Sequence, residues 1–270
     1  CLVPDASIAR PTLIDDLLQV EEIGDAVVDP NQEWAVIERL GPINALNSYD
    51  QEGAVAIDRS SLWRIDLTRE RPIQLMLSKA IIGPVSPSGR WLLVFRLQTD
   101  RLQPGIHEVA TGRTRWLDLN SEMSGVGLSA IWVSDDAFIL STRVAPGITP
   151  RIRSDRAAMS TQEGLWRAAK SGATPSVTIV TAEGRREAET APDHKLLIIS
   201  SQSGKSRVVA EGDIEDMALS PDRRRLALAE WREPLRLSFG APVRVTEPDR
   251  RLDLVILDLE TGLTRSPCPS

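Results

Sequence analysis

Cysteine and histidine are nearly missing from this chain, at two residues each in 270, and it has one tyrosine and three phenylalanines. Two cysteines cannot build a zinc site alone, and metal binding at either histidine needs a third clustered ligand. Excess positive charge is missing too: 32 Lys and Arg stand against 38 Asp and Glu, a formal charge of −6. Without a net basic field to attract phosphates, neither nucleic acid nor an anionic membrane surface is an expected partner. No apolar run approaches the roughly 18 residues needed to cross a bilayer. Gln202-Ser203-Gly204-Lys205-Ser206 ends like a phosphate-binding loop, but Ile199 stands where that loop needs a glycine, so a hairpin turn is expected. No cofactor is expected.

What is present is a repeated turn. Val85-Ser86-Pro87-Ser88-Gly89-Arg90 leads into the β-prone run Trp91-Leu92-Leu93-Val94-Phe95. Pro87 pre-sets φ for a turn, Gly89 tolerates positive φ, and the run is too short and too β-branched or aromatic for a helix. Val28-Asp29-Pro30-Asn31-Gln32-Glu33-Trp34 matches it position for position, and Leu219-Ser220-Pro221-Asp222-Arg223-Arg224-Arg225 is a third copy. Val133-Ser134-Asp135-Asp136-Ala137 is a degenerate copy without the proline. A unit returning every ~40–50 residues is the period of propeller blades. A two-sheet sandwich also holds many short strands, but a turn signature at this period favours the propeller.

The chain opens on Cys1 instead of Met, which points to processing, trimming or a fragment and also suits a lipid-anchored bacterial protein. Whether Cys1 pairs with Cys268 stays open. Residues 1–24 read as a lead followed by an amphipathic helix from Pro11 to Gly24. Thr12 is its cap, Asp15 completes a capping-box-like pair, and Leu13, Ile14, Leu17, Leu18 and Val20 form a face that should dock on something larger. From residue 25 onward short strands alternate with Thr-Gly or Ser-Gly hairpins at Thr111-Gly112, Ser171-Gly172, Ser203-Gly204 and Thr261-Gly262. Strands are expected at Ala54–Ile57, Leu62–Leu67, Gly164–Arg167, Ser176–Val180 and Leu196–Ile199, the last opening a fourth unit. The expected fold is all-β: a partial β-propeller of about five blades with one short N-terminal helix. Residues 25–270 would form an incomplete ring, a fragment of a longer protein.

The opening Arg10-Pro11-Thr12-Leu13-Ile14-Asp15-Asp16-Leu17-Leu18, the Ser86-Pro87-Ser88-Gly89-Arg90 turn and the Leu62-Trp63-Arg64-Ile65-Asp66-Leu67 hairpin strand resemble the propeller domain of prolyl-oligopeptidase-like serine peptidases. Cys1 and Asn47-Ser48-Tyr49-Asp50 resemble the members that open lasso peptides at an isopeptide bond. The same repeats occur in non-catalytic TolB-type propellers. The resemblance implies a hydrolase domain with a Gly-x-Ser-x-Gly nucleophile elbow. This chain has none, since Gly125-Val126-Gly127-Leu128-Ser129 carries its serine at the wrong place.

Candidate chemistry is therefore sparse. His107 lies in a strand pattern and reads as structural, while His194 stands beside Asp193 without an identifiable nucleophile. Trp34, Trp63, Trp91, Trp116 and Trp166 fall at corresponding strand positions and read as packing. Two long loops, 145–163 and 232–250, interrupt the pattern. Arg151, Arg153 and Arg156 in the first are the candidate substrate-binding residues, because guanidinium groups grip carboxylates bidentately. Two functions follow. One is a periplasmic or secreted propeller that gates and orients peptide substrate for a C-terminal hydrolase domain outside this chain. The other is a stand-alone propeller that binds a protein or peptide partner.

Overall fold

The computed structural model describes residues 11–45, 52–99, 101–123, 129–144, 147–149, 152, 164–173, 194–234 and 250–267. Its strands form four antiparallel sheets of four, each sheet laid out in chain order. The first comprises β1 (Glu22–Val28), β2 (Trp34–Leu40), β3 (Ser60–Asp66) and β4 (Gln74–Ser78). The second comprises β5 (Ile81–Val85), β6 (Trp91–Gln98), β7 (Arg101–Glu108) and β8 (Arg113–Trp116). The third comprises β9 (Ala130–Ser134), β10 (Ala137–Arg143), β11 (His194–Ser200) and β12 (Ser206–Glu211). The fourth comprises β13 (Ile214–Leu219), β14 (Arg225–Pro234), β15 (Arg250–Asp258) and β16 (Thr264–Arg265). First strands meet in series, β1 with β5, β5 with β9 and β9 with β13. This is a partial β-propeller.

The period-2 alternation of each second strand explains the stacking, because it gives every sheet two apolar faces. Trp34 and Val36 of β2 meet Leu92 and Val94 of β6. The neighbouring positions of β6, Leu93 and Phe95, face the other way and meet Phe138 and Leu140 of β10. Ile139 of β10, with Leu196 of β11, meets Leu226 and Leu228 of β14. Three apolar cores thus join four sheets. At about 25 cal/mol per Å² of buried apolar surface, these joints are the main stabilising term of the fold.

The repeated turns are congruent. Gln32, Gly89 and Arg223 each donate their backbone N–H to the residue three before, at 2.8, 2.9 and 2.8 Å. All three have positive φ, at 59°, 76° and 59°. Only Gly89 meets that requirement without a Cβ, and a Cβ there would fall 1.7 Å from Oδ1 of Asp29. The turns also tie sheet to sheet. Asn31 Nδ2 donates to the Ser88 carbonyl at 3.1 Å. Ser88 donates to Asp135 through its backbone and its hydroxyl. Arg223 Nη1 donates to the Val133 carbonyl at 3.2 Å.

Several expectations are corrected. About five blades were expected, and the sheets number four among the described residues; Leu196–Ile199 opens no new unit but supplies β11, the third strand of the third sheet. The N-terminal helix α1 is short, Ile14–Leu18, and Glu22 to Gly24 already belong to β1. Asp16, not Asp15, closes its first turn by accepting from the Leu13 N–H at 2.8 Å. Two of its apolar side chains stay open to solvent, Ile14 76% and Leu17 61% exposed, while Leu18 is half-buried. Ala54–Ile57 lies in a helix, α2 (Glu52–Arg59), which drives Ile57 into the core between sheets two and three. Residues 164–170 are helical, not extended, and Trp166 is 70% exposed there. Good helix formers, Ala168 and Ala169, extend that run, and Gly172 at φ 72° caps its end instead of turning a hairpin. Ser176–Val180 lies outside the described residues.

Candidate functional site

Antiparallel order divides each sheet into two ends. The first-to-second and third-to-fourth turns lie at one, and the second-to-third connections with the links to the next sheet lie at the other. Each end carries a polar feature.

At the turn end, sheets two and three leave a groove of about 310 Å³ lined by Trp91, Ile106, Glu108, Arg113, Thr114, Arg115, Ser201 and Gln202. Sequence places these residues by alternation: Ile106 points into the core of the joint, while Arg113 and Arg115 flank Thr114 on the short outer strand β8. The Arg115 guanidinium spans the joint and donates to the carbonyls of Ser201 and Gln202. Arg90 lies 4.5 Å from the centroid of the Trp91 ring and pairs with Glu108 at 2.9 Å. Hydrogen bonds from Arg90 and Thr111 hold the Glu108 carboxyl below the usual carboxylate range. The groove thus combines an indole, a buried aliphatic floor and two guanidinium groups. That set suits an extended chain bearing a carboxylate.

Beneath the groove, His107 is 1% exposed and its Nδ1 lies 2.8 Å from Oγ1 of Thr114. Burial, then the charge of Arg64, lowers its pKa, so the ring is neutral. Among the described residues Nε2 has no hydrogen-bond partner. His107 thus lies within β7, buried between the sheets.

At the opposite end, four ionisable side chains, Glu122, Arg143, His194 and Asp213, are buried together. Arg143 Nη1 reaches Glu122 Oε2 at 2.7 Å, and His194 Nε2 reaches the same oxygen at 3.0 Å. His194 Nδ1 faces Asp213 Oδ1 at 3.9 Å, too far for a hydrogen bond. Burial alone would raise the Glu122 carboxyl, but hydrogen bonds from His194 and Arg143, with their charges, carry it below its ordinary value. The cluster joins the loop before β9, the paired ends of β10 and β11, and the residue ahead of β13. It sits at the root of the connection 144–193. His194 therefore pairs with Glu122; Asp193, its sequence neighbour, lies outside the described residues. Glu122, Arg143 and Asp213 carry no motif and were not singled out by sequence. The one local sign is a charge at the end of a strand-forming run, as Arg143 ends β10 after Phe138–Thr142.

Arg151, Arg153 and Arg156 lie outside the described residues, as do Cys1, Cys268 and Asn47–Asp50. The Gly204 turn is a hairpin, with its N–H donating to the Ser200 carbonyl at 2.9 Å. Among the described residues no group of three or more His, Cys, Asp or Glu is placed to hold a metal, and no helix is long and apolar enough to cross a membrane.

No family model matches the chain, and no curated protein matches its sequence. Solved structures do share its fold. Acylaminoacyl peptidase of Pyrococcus horikoshii superposes with a TM-score of 0.51 at 10% identity, over 94% of this chain and 33% of that one. Dipeptidyl peptidase 4 of Porphyromonas gingivalis does so with 0.50 at 11% identity, over 91% and 32%. A puromycin-hydrolyzing peptidase of Mycobacterium tuberculosis gives 0.50 at 10% identity, over 92% and 29%. The chain spans about a third of the length of these structures. At such identities the likeness establishes the propeller fold that the turn motifs suggested.

Proposed function

We propose that this chain is the propeller of a serine peptidase or isopeptidase of prolyl-oligopeptidase type. It gates and orients peptide substrate for a hydrolase domain outside these 270 residues, in the periplasm or outside the cell. The observation that carries this reading is the groove between sheets two and three. The half-buried Trp91 offers apolar surface to side chains, and Arg113 stands at the rim for a carboxylate. The fold likeness to peptidases, over nearly the whole of this chain and a third of theirs, supports the same reading. Arg151, Arg153 and Arg156, on the connection that leaves the opposite end, are proposed as a second substrate contact.

Fluorescence anisotropy of labelled peptides with free and amidated C-termini tests the reading. The full chain should bind the free acids more tightly, and Arg113→Glu should weaken them at least about tenfold. Equal binding of both termini, unchanged by the substitution, would overturn the groove assignment. Reading the gene past Ser270 tests the rest: a hydrolase segment with Gly-x-Ser-x-Gly is expected, and its absence leaves a stand-alone binding propeller. Stoichiometric labelling of this chain by a fluorophosphonate would place an activated serine here and sink the division of labour.

A further inference from the structure

Register fixes the wall that sheet two turns to the groove. Trp91, Glu108 and Arg113 stand directly opposite one another across β6, β7 and β8, and Leu93, Ile106 and Arg115 form the next row in. Opposite charges facing each other across a ladder ordinarily pair. Glu108 is already taken, however. Arg90 donates to its Oε1 through Nε and Nη2, at 3.1 and 2.9 Å, and Thr111 donates to its Oε2 at 2.9 Å. Arg113 acts on Glu108 only as a nearby charge. Among the described residues its side chain has no hydrogen bond and no ion pair. Arg115 is pinned to the facing wall, where it donates to the carbonyls of Ser201 and Gln202. Carbonyls are dipoles, so they orient the guanidinium without cancelling its charge, and further N–H donors remain on it. The polar side chains of that wall are occupied as well, the Ser201 hydroxyl by the Asp135 carbonyl at 2.6 Å and the Gln202 amide by the Asp136 carboxylate at 2.9 Å.

Charge in the groove therefore does not balance. Arg90 and Glu108 cancel, and Arg113 and Arg115 remain as two positive charges on one face of one strand, their Cα atoms roughly 6.6 Å apart. Asp136 makes no ion pair with either of them among the described residues. Building on the reading of this groove as a peptide site, we infer that it selects chain ends carrying two carboxylates, that is, peptides ending in Asp or Glu. The α-carboxylate meets Arg113 at the rim, and the side-chain carboxylate meets Arg115 one row further in. Both guanidinium groups sit on long stems, so two carboxylates separated by one short side chain fall within their common reach. Each such contact is a charge-assisted hydrogen bond of the stronger kind. A peptide ending in an uncharged residue leaves Arg115 unmatched, and one ending in a basic residue brings like charges together, which disfavours it.

Fluorescence anisotropy on the full chain tests this with one labelled peptide made in four forms, ending in Glu or Gln, each as free acid and as amide. The Glu acid should bind tightest, ahead of the Gln acid by about fivefold, the upper end of what a solvent-accessible ion pair gives. That gap should narrow as ionic strength rises. Arg115→Gln, whose amide still donates to the facing wall, should erase it. If that variant loses its cooperative melt, the four peptides and the salt series on the unsubstituted chain decide alone. Equal binding of the two free acids, both ahead of their amides, overturns the second carboxylate and leaves the groove as a site for a peptide end. Equal binding of all four forms removes both readings. A preference for Glu that amidation does not diminish, or that survives Arg115→Gln in a folded variant, also overturns the assignment.

Discussion

Ser88 gives both of its donors to one oxygen: its backbone N–H and its hydroxyl reach Oδ1 of Asp135 at 2.9 and 2.7 Å. The two residues belong to corresponding turns of neighbouring sheets, so a repeat read as a series of local kinks is also a chain of contacts between sheets.

Replacing Asp135 by Ala should therefore loosen the joint between sheets two and three. Hydrogen bonds to a charged acceptor contribute about 1.5–3 kcal/mol, and a loss in that range is expected in urea unfolding. Partial burial raises the Asp135 carboxyl, but bonds from Ser88 and Ser86 and the charge of Arg223 leave it below its ordinary value. Its contribution is thus present above the unfolded carboxylate value and fades as pH falls through the lower folded one. A D135A variant with unchanged stability and an unchanged acid limb would refute the tie.

Glu38 should behave in the opposite sense. Its side chain is 5% exposed, and burial pushes its carboxyl up despite a hydrogen bond from Ser60. Ser60 Oγ lies 2.6 Å from Glu38 Oε1 and 2.7 Å from the Ala80 carbonyl, yet it has a single proton. Both contacts are satisfied when Glu38 is protonated and donates to Ser60, which donates to Ala80. The native state then holds this proton more tightly than the unfolded chain. The stabilisation is complete at low pH and is lost as pH rises from the ordinary carboxylate value through the raised one. Glu38→Gln should flatten that decline in urea unfolding run at several pH values; an unaltered slope would count against it.

The turn position shared by Gln32, Gly89 and Arg223 makes a paired prediction. A side chain in the left-handed region costs on the order of 1 kcal/mol, so Gln32→Gly should raise the unfolding free energy by about 0.5–1 kcal/mol. Gly89→Ala should lower it by more than about 2 kcal/mol, since its methyl group meets the buried Asp29 carboxylate. Thermal melts of both variants check the signs, and equal shifts in one direction would contradict the shared geometry.

In the buried cluster, Arg143→Ala leaves Glu122 ionised beside His194 alone. Removing one partner of a buried pair typically costs about 3–5 kcal/mol. A loss below about 1 kcal/mol would show that the pair is solvated in solution.

Turns and second strands were legible from sequence because proline, aspartate and positive-φ positions have local causes, and alternation marks two-sided strands. Short apolar runs are ambiguous between strand and helix. Ala54–Ile57 and Gly164–Arg167 lie within helical runs, 52–59 and 164–170, that extend past the short apolar windows marking them. The charged cluster was illegible for a different reason. Its four members come from four segments, and only the register of β10 against β11 brings Arg143 to His194.

That register partnership has a practical consequence. Residues 144–193 leave and re-enter the third sheet at directly opposed positions, so their two anchors are already side by side before anything between them is specified. Loop-closure cost grows only slowly with length. The neck is therefore a grafting port for a foreign epitope or reporter domain, provided that Ile148 and Ile152, which the excursion buries in the core between sheets two and three, are kept.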